Sequence, residues 1–162
     1  NLETVKWLRE ILSTEYYHIS ITADVIGVEM CAAIKNFYSM IIGSAKGLNT
    51  AAALMQKSIS EMVNFTRVFG GKEETVYGLA GLGDLYVSCA GGRNSKMGKY
   101  LGNGVEYKKA KSEFMPNDTV EGAELALEIG PKILKEFKKE NFPLLMDLLE
   151  SICNNKKLNI HW

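Results

Sequence analysis

The residues able to bind and react are concentrated in one stretch, GLAGLGDLYVSCAGGRN, residues 78–94. Gly78, Gly81 and Gly83 leave the backbone free to adopt φ > 0 and to approach a ligand closely. Asp84 comes directly after them, Ser88 lies four residues on, and the run closes on Gly91-Gly92-Arg93-Asn94. Arg93 offers a planar donor fork suited to phosphate. Asn94 and Ser95 are expected to cap the helix suggested by SKMGKYLG, whose first N–H groups would face an anion. A plain Gly-rich connector between helices is the alternative. Asp84, Arg93 and Asn94 on one loop system favour a site for a small phosphorylated molecule.

A second pair, Lys35-Asn36, stands in the apolar run AAIKNF. Lys35 is either a snorkelling surface lysine or a buried one. Desolvation would suit the buried form to act as general base on an alcohol proton. Asp84 would then hold Lys35 or a substrate hydroxyl, unless it only closes a turn. Glu121 in TVEGAE is explained by the helix dipole alone, as an acid in a first turn.

These residues need elements to carry them. Residues 2–12 have the period of an amphipathic helix, and residues 16–22 (YYHISIT) have the composition of a short strand. No second strand comes after it to pair with it, so residues 1–24 read as the tail of an upstream α/β domain. From Val25 the period is helical throughout. A first helix runs from about Val25, a second is capped by Asn49 or Thr50 and stops at Gly70-Gly71, and a third starts near Asn94. Residues 107–114 are lysine-rich and carry no clear element. Asp118 or Thr119 should cap a long helix that Pro131 kinks or splits, and Pro143 opens the last one. Residues 25–162 are therefore expected to form an all-α domain, nearer to a compact bundle than to a solenoid.

Composition narrows the function classes. The 162 residues are 46% hydrophobic and 23% charged, with a formal net charge of zero. No broad basic face is available for nucleic acid or an anionic membrane. Cys31, Cys89 and Cys153 match no disulfide or metal spacing and read as free thiols, and His18 and His161 lie near opposite ends. No metal site is expected. No apolar run is expected to reach membrane-spanning length, and neither a GxGxxG fingerprint nor a Walker loop occurs.

The segments DVIGVEMCAAIKN, NTAAALMQKSISEM, GGKEETVYGLAGLGDLYVSC, GRN and VEGAE occur in an order that resembles the NAD(P)-dependent glycerol-3-phosphate dehydrogenases. The resemblance covers about residues 16–155 and is to the C-terminal substrate domain. It implies an all-α fold of the 6-phosphogluconate-dehydrogenase C-terminal type, joined in the family to an N-terminal Rossmann domain. It also implies a cytoplasmic, often dimeric enzyme that interconverts sn-glycerol 3-phosphate and dihydroxyacetone phosphate with NAD or NADP. Lys35 matches the family's catalytic lysine, and Asn36 a neighbouring substrate contact. Asp84 matches the acid that binds the substrate's hydroxyl end and orients the lysine, and Ser88 matches a nearby hydroxyl. Arg93 and Asn94 match the pair that holds the substrate phosphate, with Arg93 also close to the cofactor. Glu121 and Thr119 match cofactor-side residues.

Two departures are visible. The Gly-rich loop before Asn49 is shorter than in the family, and Ala51 replaces a basic residue. The cofactor is held in the family mainly by the Rossmann half, so the 162-residue chain alone is expected to be inactive. Related dehydrogenases of other small hydroxy acids or sugar phosphates, and a non-catalytic helical interaction module, are the competing readings.

Overall fold

The helix at the centre of the core is α2 (Val25–Gly43), 19 residues long. The computed structural model describes residues 1–161. Before α2 comes α1 (Leu2–Leu12); after it come α3 (Leu48–Val68), α4 (Glu73–Tyr77), a π-turn (Leu79–Gly83), α5 (Asp84–Cys89) and α6 (Arg93–Gly102). A single turn, α7 (Tyr107–Lys109), runs into a second π-turn (Ala110–Phe114), and then α8 (Glu121–Glu136), a 3₁₀ turn (Lys139–Asn141) and α9 (Pro143–Cys153) complete the chain. The described residues contain no β-strand.

α2 has apolar side chains nearly all round, because other helices cover it on several sides. Cys31, Ile34, Phe37, Tyr38, Met40 and Ile41 are essentially inaccessible. Its length and hydropathy would also let it cross a membrane, contrary to the expectation that no such run exists. Its burial against α3, α5, α6 and α8 accounts for the apolar composition here.

α6 lies closest to α2. A Cβ at Gly98 would stand 2.0 Å from the Met40 carbonyl oxygen, and one at Gly102 would stand 2.2 Å from that of Ser44. The two backbones therefore touch, which only glycine permits. α2 and α6 run parallel at a constant offset of 58 residues, Asn36 beside Asn94, Met40 on Gly98 and Ser44 on Gly102. That register delivers Asn94 to the level of the Lys35-Asn36 pair.

On the far side, α9 is tied to α3 by a buried acid. Glu61 accepts from the Leu144 amide at 2.9 Å, the Leu145 amide at 3.1 Å and the Tyr38 hydroxyl at 3.2 Å. It thus caps a helix from another element, satisfying first-turn N–H groups that have no partner within α9. Burial nevertheless pushes its carboxyl above the ordinary glutamate value, outweighing those hydrogen bonds. The folded state therefore binds this proton more tightly than the unfolded chain. The contribution is full below the unfolded pKa and is lost as pH rises through the raised folded one. Glu61→Gln should accordingly destabilise most in mild acid, and its cost should shrink towards neutral pH. Urea unfolding of both proteins across that range checks it; a cost that grows with pH would refute it.

Several sequence expectations change. Residues 16–22 form no strand or ladder; the nearby hydrogen bonds are a local turn, Thr14 N–H to the Tyr17 carbonyl at 2.9 Å and Tyr17 N–H to Thr14 Oγ1 at 3.0 Å. Composition suits a strand there, but no second strand is present among the described residues to pair with it. α3 begins at Leu48 with Gly47 as N-cap and no side-chain cap, so Asn49 and Thr50 lie inside it. α8 begins at Glu121 after Val120, because the Asp118 carboxylate is engaged by Lys96 at 3.0 Å instead of capping. Pro131 does not split α8. Leu127, whose carbonyl loses its partner, is exposed to water along with Pro131. Trp162 lies outside the described residues.

Candidate substrate and proton-transfer site

The Gly-rich stretch is helical rather than a loop. Gly78, Gly81 and Gly83 all have negative φ, and among these glycine-run residues only Gly91, at φ +155°, uses the positive region. Gly81 is required for another reason. Inside the π-turn, a Cβ there would stand 2.1 Å from the Val76 carbonyl oxygen. π-turns commonly mark functional positions, because the extra residue re-aims the next stretch of helix. Here the re-aimed residue is Asp84, the first of α5.

Asp84 faces Lys35, and the two form an ion pair between α5 and α2. The Lys35 side chain is 18% accessible and that of Asp84 40%. Lys35 is therefore neither a snorkelling surface lysine nor sealed in the core. An ion pair this accessible adds little stability, so its value is geometric. The Nζ is held at one place, at the edge of the domain, with water or a ligand able to reach it.

Beside this pair runs a second chain of contacts. Asn94 Nδ2 donates to Asn36 Oδ1 at 3.1 Å and to Glu121 Oε2 at 3.4 Å. Its Oδ1 accepts from the Gly122 amide at 2.9 Å, in the first turn of α8. Asn94 is thus buried and joins α2, α6 and α8. It does not cap α6, as the sequence suggested. α6 starts at Arg93 with Gly92 as N-cap, and Ser95 Oγ donates instead to the Cys89 carbonyl at 3.0 Å. The reason is tertiary: better partners lie on neighbouring helices.

Arg93 pairs with Glu121, and both side chains remain about half accessible, at 52% and 45%. The guanidinium therefore has donors left for an anion arriving from outside. Ser88 lies one turn after Asp84 on α5, half-buried. Of the sequence-predicted residues, Lys35 with Asp84, and Asn36 with Asn94, Glu121 and Arg93, come together in direct contact. Thr119 is exposed just before α8 and makes no side-chain hydrogen bond with them among the described residues.

One buried anchor is not among the sequence-predicted residues. Asp24 caps α2, accepting from Gly27 N–H at 3.0 Å, and also binds the Lys72 amide at 2.9 Å and the Thr75 hydroxyl at 2.6 Å. These bonds, led by Thr75, hold its carboxyl below the usual aspartate value. It fixes the start of α2 to the segment leading into the π-turn. An Asp immediately before an apolar helical run was the available signal.

No group of His, Cys, Asp and Glu able to hold a metal ion occurs among the described residues. For a nicotinamide dinucleotide, the accessible Arg93–Glu121 edge fits a lateral contact. The described residues offer no strand–glycine turn–helix unit to enclose it.

Known proteins share this arrangement of helices. Residues 24–160 match the family model described as NAD-dependent glycerol-3-phosphate dehydrogenase C-terminus. An NADP(+)-dependent glycerol-3-phosphate dehydrogenase of Archaeoglobus fulgidus is 34% identical over 145 residues, covering 81% of this chain and 43% of that protein. An NAD(P)+ glycerol-3-phosphate dehydrogenase of Coxiella burnetii is 39% identical over 120 residues, covering 70% of this chain and 36% of that protein. A solved glycerol-3-phosphate dehydrogenase structure from Coxiella burnetii superimposes with TM-score 0.81 at 31% identity, over 97% of this chain and 49% of that one. One from Saccharomyces cerevisiae gives 0.83 at 28% identity, over 95% and 46%. The chain spans less than half the length of the curated relatives it matches.

Proposed function

The chain belongs to the NAD-dependent glycerol-3-phosphate dehydrogenase family, matching its C-terminal domain, and from that premise we propose that it is the substrate-binding and catalytic half of such an enzyme. The reaction is the interconversion of sn-glycerol 3-phosphate and dihydroxyacetone phosphate. The observation that carries this reading is the Lys35–Asp84 pair set one contact chain away from the accessible guanidinium of Arg93.

NAD or NADP, when bound, supplies the hydride exchange at carbon 2. Reduction places growing negative charge on the carbon 2 oxygen, and the Lys35 ammonium is held to stabilise it and donate its proton. In the other direction the neutral amine takes the hydroxyl proton. Asp84 keeps Nζ aimed and accepts from a substrate hydroxyl. Arg93 binds the phosphate, exchanging part of its contact with Glu121 for the incoming anion. Asn94 supports this from beneath by fixing α6 and the start of α8, and Asn36 and Ser88 line the substrate side. Glu121 and Thr119 form the edge that a dinucleotide would meet.

On this reading the nucleotide is enclosed by a Rossmann domain that residues 1–24 lead out of, and residues 25–162 act on the substrate. The exposed apolar side chains of Leu79, Tyr86 and Val87 near Asp84 support a cover by that domain or by a second protomer. The enzyme would work in the cytoplasm as a homodimer.

The test is oxidation of NADH or NADPH with dihydroxyacetone phosphate, using the chain joined to its nucleotide-binding half and, separately, the 162 residues alone. Turnover is expected from the first and none from the second. A folded two-domain protein that leaves dihydroxyacetone phosphate untouched would overturn the assignment.

A further inference from the structure

We propose that Ser39 is a positioning residue for proton transfer, holding α5 in register on α2 so that Asp84 keeps Lys35 aimed; this rests on the dehydrogenase reading above. α2 and α5 are joined by two rungs with the same offset of 49 residues, Lys35 to Asp84 and Ser39 Oγ to the Ser88 carbonyl at 3.0 Å. Lys35 and Ser39 are one helical turn apart on α2, and Asp84 and Ser88 are one turn apart on α5. The helices therefore run parallel here, and the buried rung lies one turn behind the reactive one.

α5 needs such a pin. It has six residues, of which Leu85 is the buried one. It continues the π-turn without a break, and the combined helix Leu79–Cys89 is still short for a helix that must be stable by itself, while the last carbonyls of α5 have no partner within it. Ser39 satisfies the carbonyl of Ser88 from α2, and Ser95 satisfies that of Cys89 from α6 at 3.0 Å. Both serines are sealed from solvent, at 0% and 2%. A serine inside a helix either faces solvent or bonds back to the carbonyl of its own preceding turn. Ser39 is directed across to α5 instead. The Asp84 side chain has little packing of its own, so its placement depends on where the α5 backbone sits.

The experiment uses the two-domain enzyme. Ser39→Ala should lower kcat about tenfold while KM for dihydroxyacetone phosphate changes less than about twofold, because misplacement affects the transition state more than ground-state binding. Ser39→Thr and Ser39→Val have nearly the same volume and differ in the hydroxyl; the threonine variant should retain the higher kcat. Reductive methylation of Lys35, followed by mass spectrometry, reads the pairing without turnover. Ser39→Ala should speed labelling towards the rate of Asp84→Ala. Equal kcat in the threonine and valine variants, or unchanged Lys35 labelling in Ser39→Ala, overturns the proposal. If the wild-type enzyme does not turn over dihydroxyacetone phosphate, the functional reading fails and the labelling comparison still decides the role of Ser39.

Discussion

Lys35→Met in the two-domain enzyme should reduce kcat for dihydroxyacetone phosphate by about 10²–10⁴-fold, the range expected when a positioned proton donor is removed. The unfolding temperature should hardly move. The pair that is lost lies at the domain edge, with Asp84 accessible enough to be solvated once its partner is gone. Methionine keeps an unbranched apolar stem out to the ε position, so the change isolates the ammonium. Steady-state kinetics with thermal unfolding on the same preparations checks both halves. A kcat within a few-fold of wild type would remove Lys35 from the reaction. A large fall in stability would recast it as a structural residue.

Arg93→Ala is the second large effect, and its signature is different. The phosphate does not react, so its binding energy is used to hold carbon 2 in place. Loss of a fork that binds a charged group should lower kcat/KM for dihydroxyacetone phosphate by about 10²–10³-fold. Unphosphorylated dihydroxyacetone, which offers no phosphate for Arg93 to bind, should be affected far less. Added guanidinium should restore part of the activity, because the cavity left at the accessible edge is open to solvent. Arg93→Lys should recover charge but not the two-pronged geometry. Equal losses with both substrates would show that Arg93 acts on the reacting carbon or on the cofactor and not through the phosphate. Folding should be unaffected, since Arg93 contributes an exposed pair.

The site was legible in the sequence to the extent that chemistry is carried by residue type. A lysine in an apolar helical run, an acid after closely spaced glycines and an Arg-Asn pair opening a helix are local features. They survive any packing. The all-α class was equally local, because apolar spacing from Val25 onward has the helical period. Pro143 at the start of α9 and the stop near Gly70 came from backbone preference alone.

What the sequence could not decide were the partnerships, since these depend on which helices meet. Asn94 and Ser95 have the composition of caps, and in isolation they would cap. Packing α6 on α2 through Gly98 and Gly102 brings Asn36, Gly122 and the Cys89 carbonyl within reach, and these partners win. The glycines of residues 78–83 looked like freedom for a loop; in the fold, Gly81 is a point of contact with no room for a side chain. The ion pair of Lys35 with Asp84 spans 49 residues and exists because α2 and α5 share a register. Residue types named the chemistry; the shared register of α2, α5 and α6 brought its members within bonding distance, because hydrogen bonds and ion pairs act over a few ångströms and only packing closes that gap.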